Sequence, residues 1–162
     1  MPTKVVFKSS WGADLSIEDV VRELIAFMDA DRRASYKVTI GSDSEKRKGG
    51  NADFVTAIVI HRVGNGGRYF FRRVLIDKKF HTLRDRILEE VLLSLETAKQ
   101  LVAGAQALTV PPFDFEIHVD VGENGQTRSM IQELVGMIRA NNFEARTKPE
   151  SYAASKVADR HV

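Results

Sequence analysis

Apolar positions recur along the chain at two periods, and the switches between them mark out its elements. Residues 1–15 read as irregular, apart from a short extended piece at Val5–Phe7. Val20, Val21, Leu24, Ile25 and Met28 then recur at helical spacing. Ser16, with Asp19 three residues on, is a helix-entry pair whose side chains satisfy free amides of the first turn. Together they predict a helix over 17–32. Tyr36, Val38 and Ile40 alternate with polar residues, which predicts a strand running into Gly41-Ser42-Asp43-Ser44. Residues 46–52, with Gly49 and Gly50, read as a turn. The segment 54–63 is rich in β-branched residues, Gly64-Asn65-Gly66-Gly67 is a hairpin signal, and 68–76 returns as a third strand.

The period then changes. Leu83, Ile87, Val91, Leu92, Leu95 and Ala98 predict a long amphipathic helix over 83–103. Pro111 and Pro112 close the connection after it. Phe115, Ile117, Val119 and Val121 alternate with Glu116, His118 and Asp120 in a fourth strand. The turn at 122–125 leads into a helix carrying Met130, Ile131, Leu134, Val135 and Ile138, which Asn141 and Asn142 stop. A fifth strand over 143–148 and a last helix over 151–160, opened by Pro149, complete the chain. The order is one N-terminal helix followed by β-β-β-α-β-α-β-α. That is an α/β domain with a mixed five-stranded sheet and helices on its faces, spanning 1–162 as one unit.

Composition narrows the chemistry. The 162 residues contain no cysteine, which excludes disulfides, thiolate zinc sites and a thiol nucleophile and fits a reducing cytoplasm. No apolar run approaches the ~20 residues needed to cross a bilayer, and the first residues lack the apolar stretch of a secretory signal, so a cytoplasmic location without membrane contact is expected. The formal charge of +2 does not by itself call for a polyanionic partner. Locally, Lys46, Arg47 and Lys48 form a basic knot, as do Arg68, Arg72 and Arg73, and again Lys78, Lys79, Arg84 and Arg86. Each also reads as an ordinary solvated face.

The acids carry the candidate site. In this order of elements the first and fourth strands are neighbours, so Asp43 and Asp120 emerge close together at one edge of the sheet. Facing carboxylates repel, and a divalent cation removes that cost. Mg²⁺ suits an oxygen-only site with one or two carboxylates. Glu90 on the long helix and Asp159 on the last one extend the pair to four acids, enough for two ions. Each has a plainer reading alone: Asp43 and Asp120 as turn formers, Glu90 as a solvated helix residue with Glu89 able to take its role, and Asp159 as an ordinary residue near the C-terminus. His118 shares the strand face of Asp120, as a neighbour of the site or a hydrogen-bonded sheet histidine. His161 follows Asp159 and reads as a ligand or proton shuttle, or equally as a frayed penultimate residue. Phosphate-loop, dinucleotide and two-histidine zinc spacings are absent.

Several segments in order resemble one family: Ile40-Gly41-Ser42-Asp43-Ser44, Ala57-Ile58-Val59-Ile60-His61-Arg62, Gly66-Gly67-Arg68-Tyr69-Phe70, Leu83-Arg84-Asp85-Arg86-Ile87, His118-Val119-Asp120-Val121-Gly122, and the tail from Lys148-Pro149-Glu150-Ser151-Tyr152 through Val157-Ala158-Asp159-Arg160-His161. These resemble the YkuK-like family of ribonuclease H-like proteins from about Ile17 to the end. The resemblance implies a ribonuclease H-like fold and a nuclease, with Asp43, Glu90, Asp120 and Asp159 matching the acids of the superfamily's metal site.

The expectation is therefore a Mg²⁺- or Mn²⁺-dependent nuclease that cuts phosphodiester bonds of RNA, an RNA–DNA hybrid or structured DNA. Lys46, Arg47, Lys48, Arg84 and Arg86 are the candidates for gripping backbone phosphates of the nucleic-acid partner. The alternatives are a non-catalytic nucleic-acid- or protein-binding module on the same fold, and a metal-dependent hydrolase of a small phosphorylated substrate.

Overall fold

A computed structural model describes residues 5–122, 125, 127–148, 157–158 and 161–162. Its centre is a sheet whose middle strands are the ones expected from alternation: β3 (Tyr36–Lys46), β4 (Ala52–Arg62), β5 (Gly67–Ile76) and β6 (Asp114–His118). β3 runs antiparallel to β4 from Tyr36 opposite Arg62 to Lys46 opposite Ala52. It runs parallel to β6 from Lys37 beside Asp114 to Gly41 beside His118. The β4–β5 turn is the glycine hairpin anticipated, with Gly64 and Gly66 both at φ +80, a region that costs glycine little.

Among the described residues the sheet has seven strands rather than five. β7 (Glu144–Arg146) is the fifth expected strand, parallel to β6. The two additions are β1 (Phe7–Ser9) and β2 (Asp14–Leu15), a small hairpin in the part expected to be irregular. It pairs with β5 through Lys8 and Ser9 and covers that edge of the sheet. Phe7 is fully buried there. Strands of two and three residues are too short for alternation to register.

The helices are α1 (Ile17–Asp29), α2 (Leu83–Ala105) and α3 (Ile131–Ala140), the last preceded by a 3₁₀ turn at Arg128–Met130. The Ser16–Asp19 box opens α1 as anticipated: the Asp19 amide donates to Ser16 Oγ at 3.1 Å and the Ser16 amide to Asp19 Oδ2 at 3.0 Å. The helix ends at Asp29, three residues short of the expected 32. All three pack on one face of the sheet. Val20, Leu24, Val91, Leu95, Ala98, Leu134 and Ile138 form a continuous core with Val38, Ile40, Ile58, Ile60, Phe70 and Ile117. On the other face Ala158 is buried against Val55 and Ala57, with Val157 and Val162 beside it. Of the last helix expected over 151–160, only Val157 and Ala158 fall within the described residues.

Candidate functional site

β3, expected to run into Gly41-Ser42-Asp43-Ser44, carries its ladder to β4 through those residues and on to Lys46. The polar side chains there are satisfied within the fold, which is what lets a polar segment remain strand. Ser42 Oγ lies 2.8 Å from Thr56 Oγ1 on β4 and 2.7 Å from Ser94 Oγ on α2. Ser44 Oγ donates to Glu90 Oε2, also on α2, at 2.6 Å. Ser42 and Ser44 therefore face the helices, and alternation turns Asp43 to the opposite face. Its neighbour across the ladder there is Val55, against which Ala158 packs.

β6 is shorter than expected and stops at His118, so among the described residues β3 has no ladder partner on that side beyond Gly41. Asp43 and Asp120 each stand two residues past that last couple, at the same level on adjacent parallel segments. Glu90 reaches this level from α2, where its Oε2 accepts from Ser44 Oγ. Burial, with Glu90 only 7% exposed, raises the Glu90 carboxyl most, and the charges of Asp43 and Asp120 raise it further. The Ser44 hydrogen bond and the Arg86 guanidinium oppose them, and the carboxyl ends at about 8, far above its ordinary 4.5. Glu90, rather than the half-exposed Glu89, is the acid that meets the pair.

The three acids are brought into one another's field, but not into a finished cage. Among the described residues no three His, Cys, Asp or Glu side chains are gathered closely enough to hold an ion. Asp43 Oδ1 accepts from the Ser44 amide at 2.9 Å, and Asp120 Oδ1 accepts from Lys148 Nζ at 2.8 Å. Asp159 lies outside the described residues, and its sequence neighbour Ala158 is buried beside Val55, across the ladder from Asp43. The donors in view are all carboxylate oxygens, a set that suits Mg²⁺ or Mn²⁺ and not a soft metal.

His118 proves to be a paired sheet histidine. Its Nε2 lies 3.2 Å from Glu116 Oε1, and its Nδ1 is buried without a partner. Burial lowers the pKa of His118, with the Glu116 hydrogen bond and charge opposing. Burial also opposes ionisation of Glu116, but His118, Lys37 and Arg146 outweigh it and hold that carboxyl below its ordinary value. The second histidine considered, His161, stacks on Phe71 at 3.9 Å between ring centres and is therefore not frayed.

The basic candidates divide. Arg47 is held by Asp53, Nε at 2.7 Å and NH2 at 2.6 Å from the same oxygen. Burial disfavours the Asp53 charge, but Arg47 and Arg73 prevail and lower its pKa. Arg84 makes a two-pronged pair with Glu133 on α3 at 2.7 Å for each prong. Arg86 donates to the Ser44 carbonyl at 3.2 Å and bears on the acids directly. Lys46 and Lys48 are exposed, Lys46 three residues and about 10 Å of strand beyond Asp43. Sequence reasoning passed over Ser44 and Lys148. Ser44 adjoins Asp43 on a strand, which is a usable signal for a side chain aimed at the opposite face. Lys148 becomes a neighbour of Asp120 only through the β6–β7 pairing.

The strand order, with one acid within β3, one just past β6 and one on α2, fits a ribonuclease H-like protein. A family model described as Ribonuclease H-like matches residues 19–162, and the chain belongs to that family. More narrowly, it is 34% identical to the uncharacterized protein YkuK of Bacillus subtilis (strain 168), over 99% of this chain and 98% of that one. No solved structure matches. Membership gives the chain a nuclease-like fold. Among the described residues no helix is long and apolar enough to cross a membrane.

Proposed function

We propose that this chain is a Mg²⁺- or Mn²⁺-dependent nuclease acting in the cytoplasm on phosphodiester bonds of RNA, an RNA–DNA hybrid or structured DNA. The observation that carries the reading is the approach of Glu90 on α2, Asp43 within β3 and Asp120 just past β6, with Glu90 buried in the field of both aspartates. A buried carboxyl surrounded by acids needs a proton or a cation, and the oxygen-only donor set selects a hard divalent one. Asp43, Glu90 and Asp120 would hold it, with Asp159 as the fourth acid by resemblance. The bound ion supplies Lewis acidity toward the phosphodiester and acidifies water. Ser44 orients the Glu90 carboxylate through its 2.6 Å hydrogen bond. Arg86 balances part of the local charge, and exposed Lys46 and Lys48 suit the phosphates of a polymer running past the site.

A second reading has its own support. With Lys148 seated on Asp120 and no ready cage among the described residues, a non-catalytic nucleic-acid-binding module fits the same fold. A cleavage panel of single-stranded, duplex, hybrid and branched substrates, with Mg²⁺ or Mn²⁺, separates the two. Cleavage lost in Asp43→Asn and Asp120→Asn supports the nuclease. Cleavage that survives both sinks the proposed site. No cleavage at all, with salt-sensitive binding unaltered by either substitution, favours the module.

A further inference from the structure

We propose that Lys148 is a resident counter-ion of the acidic site that competes with a divalent cation for Asp120 and is displaced from it when the cation binds; this rests on the metal reading above. Lys148 Nζ donates to Asp120 Oδ1 at 2.8 Å. The contact is built by the backbone. The Val119 amide donates to the Arg146 carbonyl at 2.9 Å, and the Lys148 amide to the Val121 carbonyl at 2.8 Å. These bonds carry the parallel alignment of β6 and β7 beyond both strands and set Lys148 beside Asp120. Gly122 makes the approach possible: a Cβ there would stand 3.0 Å from Lys148 Cβ. The lysine stem lies in space that any other residue at 122 would fill.

The ammonium and a metal ion want the same lone pairs. The ammonium takes up a lone pair of Oδ1 that a cation would otherwise coordinate at ~2.1 Å, and the two positive charges repel. Lys148 thus spares Asp120 from facing Asp43 and Glu90 uncompensated, at the expense of metal affinity. Its side chain is 58% exposed against 36% for Asp120, so the ammonium has solvent to withdraw into. Once withdrawn it remains at the rim as a mobile cation of the kind a phosphate oxygen attracts.

The test is Mn²⁺ binding by calorimetry on the wild-type protein, Lys148→Met and Lys148→Arg, with folding checked by circular dichroism. Methionine keeps the stem and removes the charge. Lys148→Met should bind Mn²⁺ about fivefold tighter, the scale set by an exposed ion pair, while Lys148→Arg stays near wild type. In the unaltered protein, Mg²⁺ should shift the Lys148 Nζ resonance and speed its proton exchange as the hydrogen bond to Asp120 opens. Equal or weaker Mn²⁺ binding by Lys148→Met, or a Lys148 resonance indifferent to saturating Mg²⁺, overturns the displacement idea while the metal site stands. Absence of Mn²⁺ binding in all three proteins removes the metal reading and this inference with it.

Discussion

Replacing Glu90 by glutamine isolates the electrostatic strain at the site, because the amide keeps the shape and cannot ionise. Glu90 is 7% exposed, and its carboxyl is displaced from 4.5 to about 8 by burial first and then by Asp43 and Asp120. For an acid whose folded value is raised, the unfolded chain ionises first. Below pH 4.5 both states are protonated and the group is neutral toward stability. Between 4.5 and about 8 the unfolded state gains a charge that the folded state refuses, so stability falls with rising pH by about 1.4 kcal/mol per pH unit. Above pH 8 the loss levels off at about 5 kcal/mol, an order-of-magnitude figure. Glu90→Gln removes this term. In urea denaturation with EDTA present, the stability advantage of Glu90→Gln over wild type should widen from pH 5 to pH 8. Saturating Mg²⁺ or Mn²⁺ should close or reverse the difference, since a cation lets the carboxylate stay charged. Stability curves of the two proteins that run parallel from pH 5 to 8 in EDTA would refute the argument.

Other outcomes follow from individual contacts. Ser94→Ala removes a buried hydroxyl partner from Ser42 and should cost about 1–2 kcal/mol, read by the urea midpoint, with no effect on Mn²⁺ affinity. Ser44→Ala withdraws the hydrogen bond that favours ionised Glu90, so its carboxyl should titrate higher still, visible as a shifted side-chain carbonyl resonance over pH. Asp43→Asn and Asp120→Asn should each lower metal-dependent cleavage at least a hundredfold, measured on whichever substrate of the panel is cut, while leaving the thermal midpoint within a few degrees. Arg84→Ala, which breaks only the exposed pair with Glu133, should change stability by less than about 1 kcal/mol.

What alternation and helical spacing could reveal was the face each residue takes, and those readings survive wherever an element is long. α1 with its Ser16–Asp19 entry, the Gly64–Gly67 hairpin and the central strands are local in origin, because turn chemistry and period act within a few residues. Register is not local. Nothing in Ser42-Asp43-Ser44 announces that the strand goes on; the ladder to β4 and the hydroxyls of Thr56 and Ser94 hold it there. Nor does anything near Lys148 point to Asp120, since only the pairing of β6 with β7 makes them neighbours.

Glu90 is the instructive intermediate case. It sits three residues after Ile87 and four before Ser94, on the stripe that also carries Val91 and Leu95, all of them buried. An acid on the apolar stripe of a helix is displaced from its normal surroundings, whereas Glu89, one position round, is not. The burial of that stripe separates the two acids, which the period left open, and a buried carboxyl persists only where the fold provides donors or a counter-charge. Here the provision comes from Ser44 and Arg86 on one side, while the two aspartates work against it on the other. That balance is poor for a purely structural residue, which would gather cations and not acids, as Glu116 does with Lys37 and Arg146. Glu90 and Glu116 both expose little surface and are surrounded oppositely, and the proposed cation site rests on that contrast.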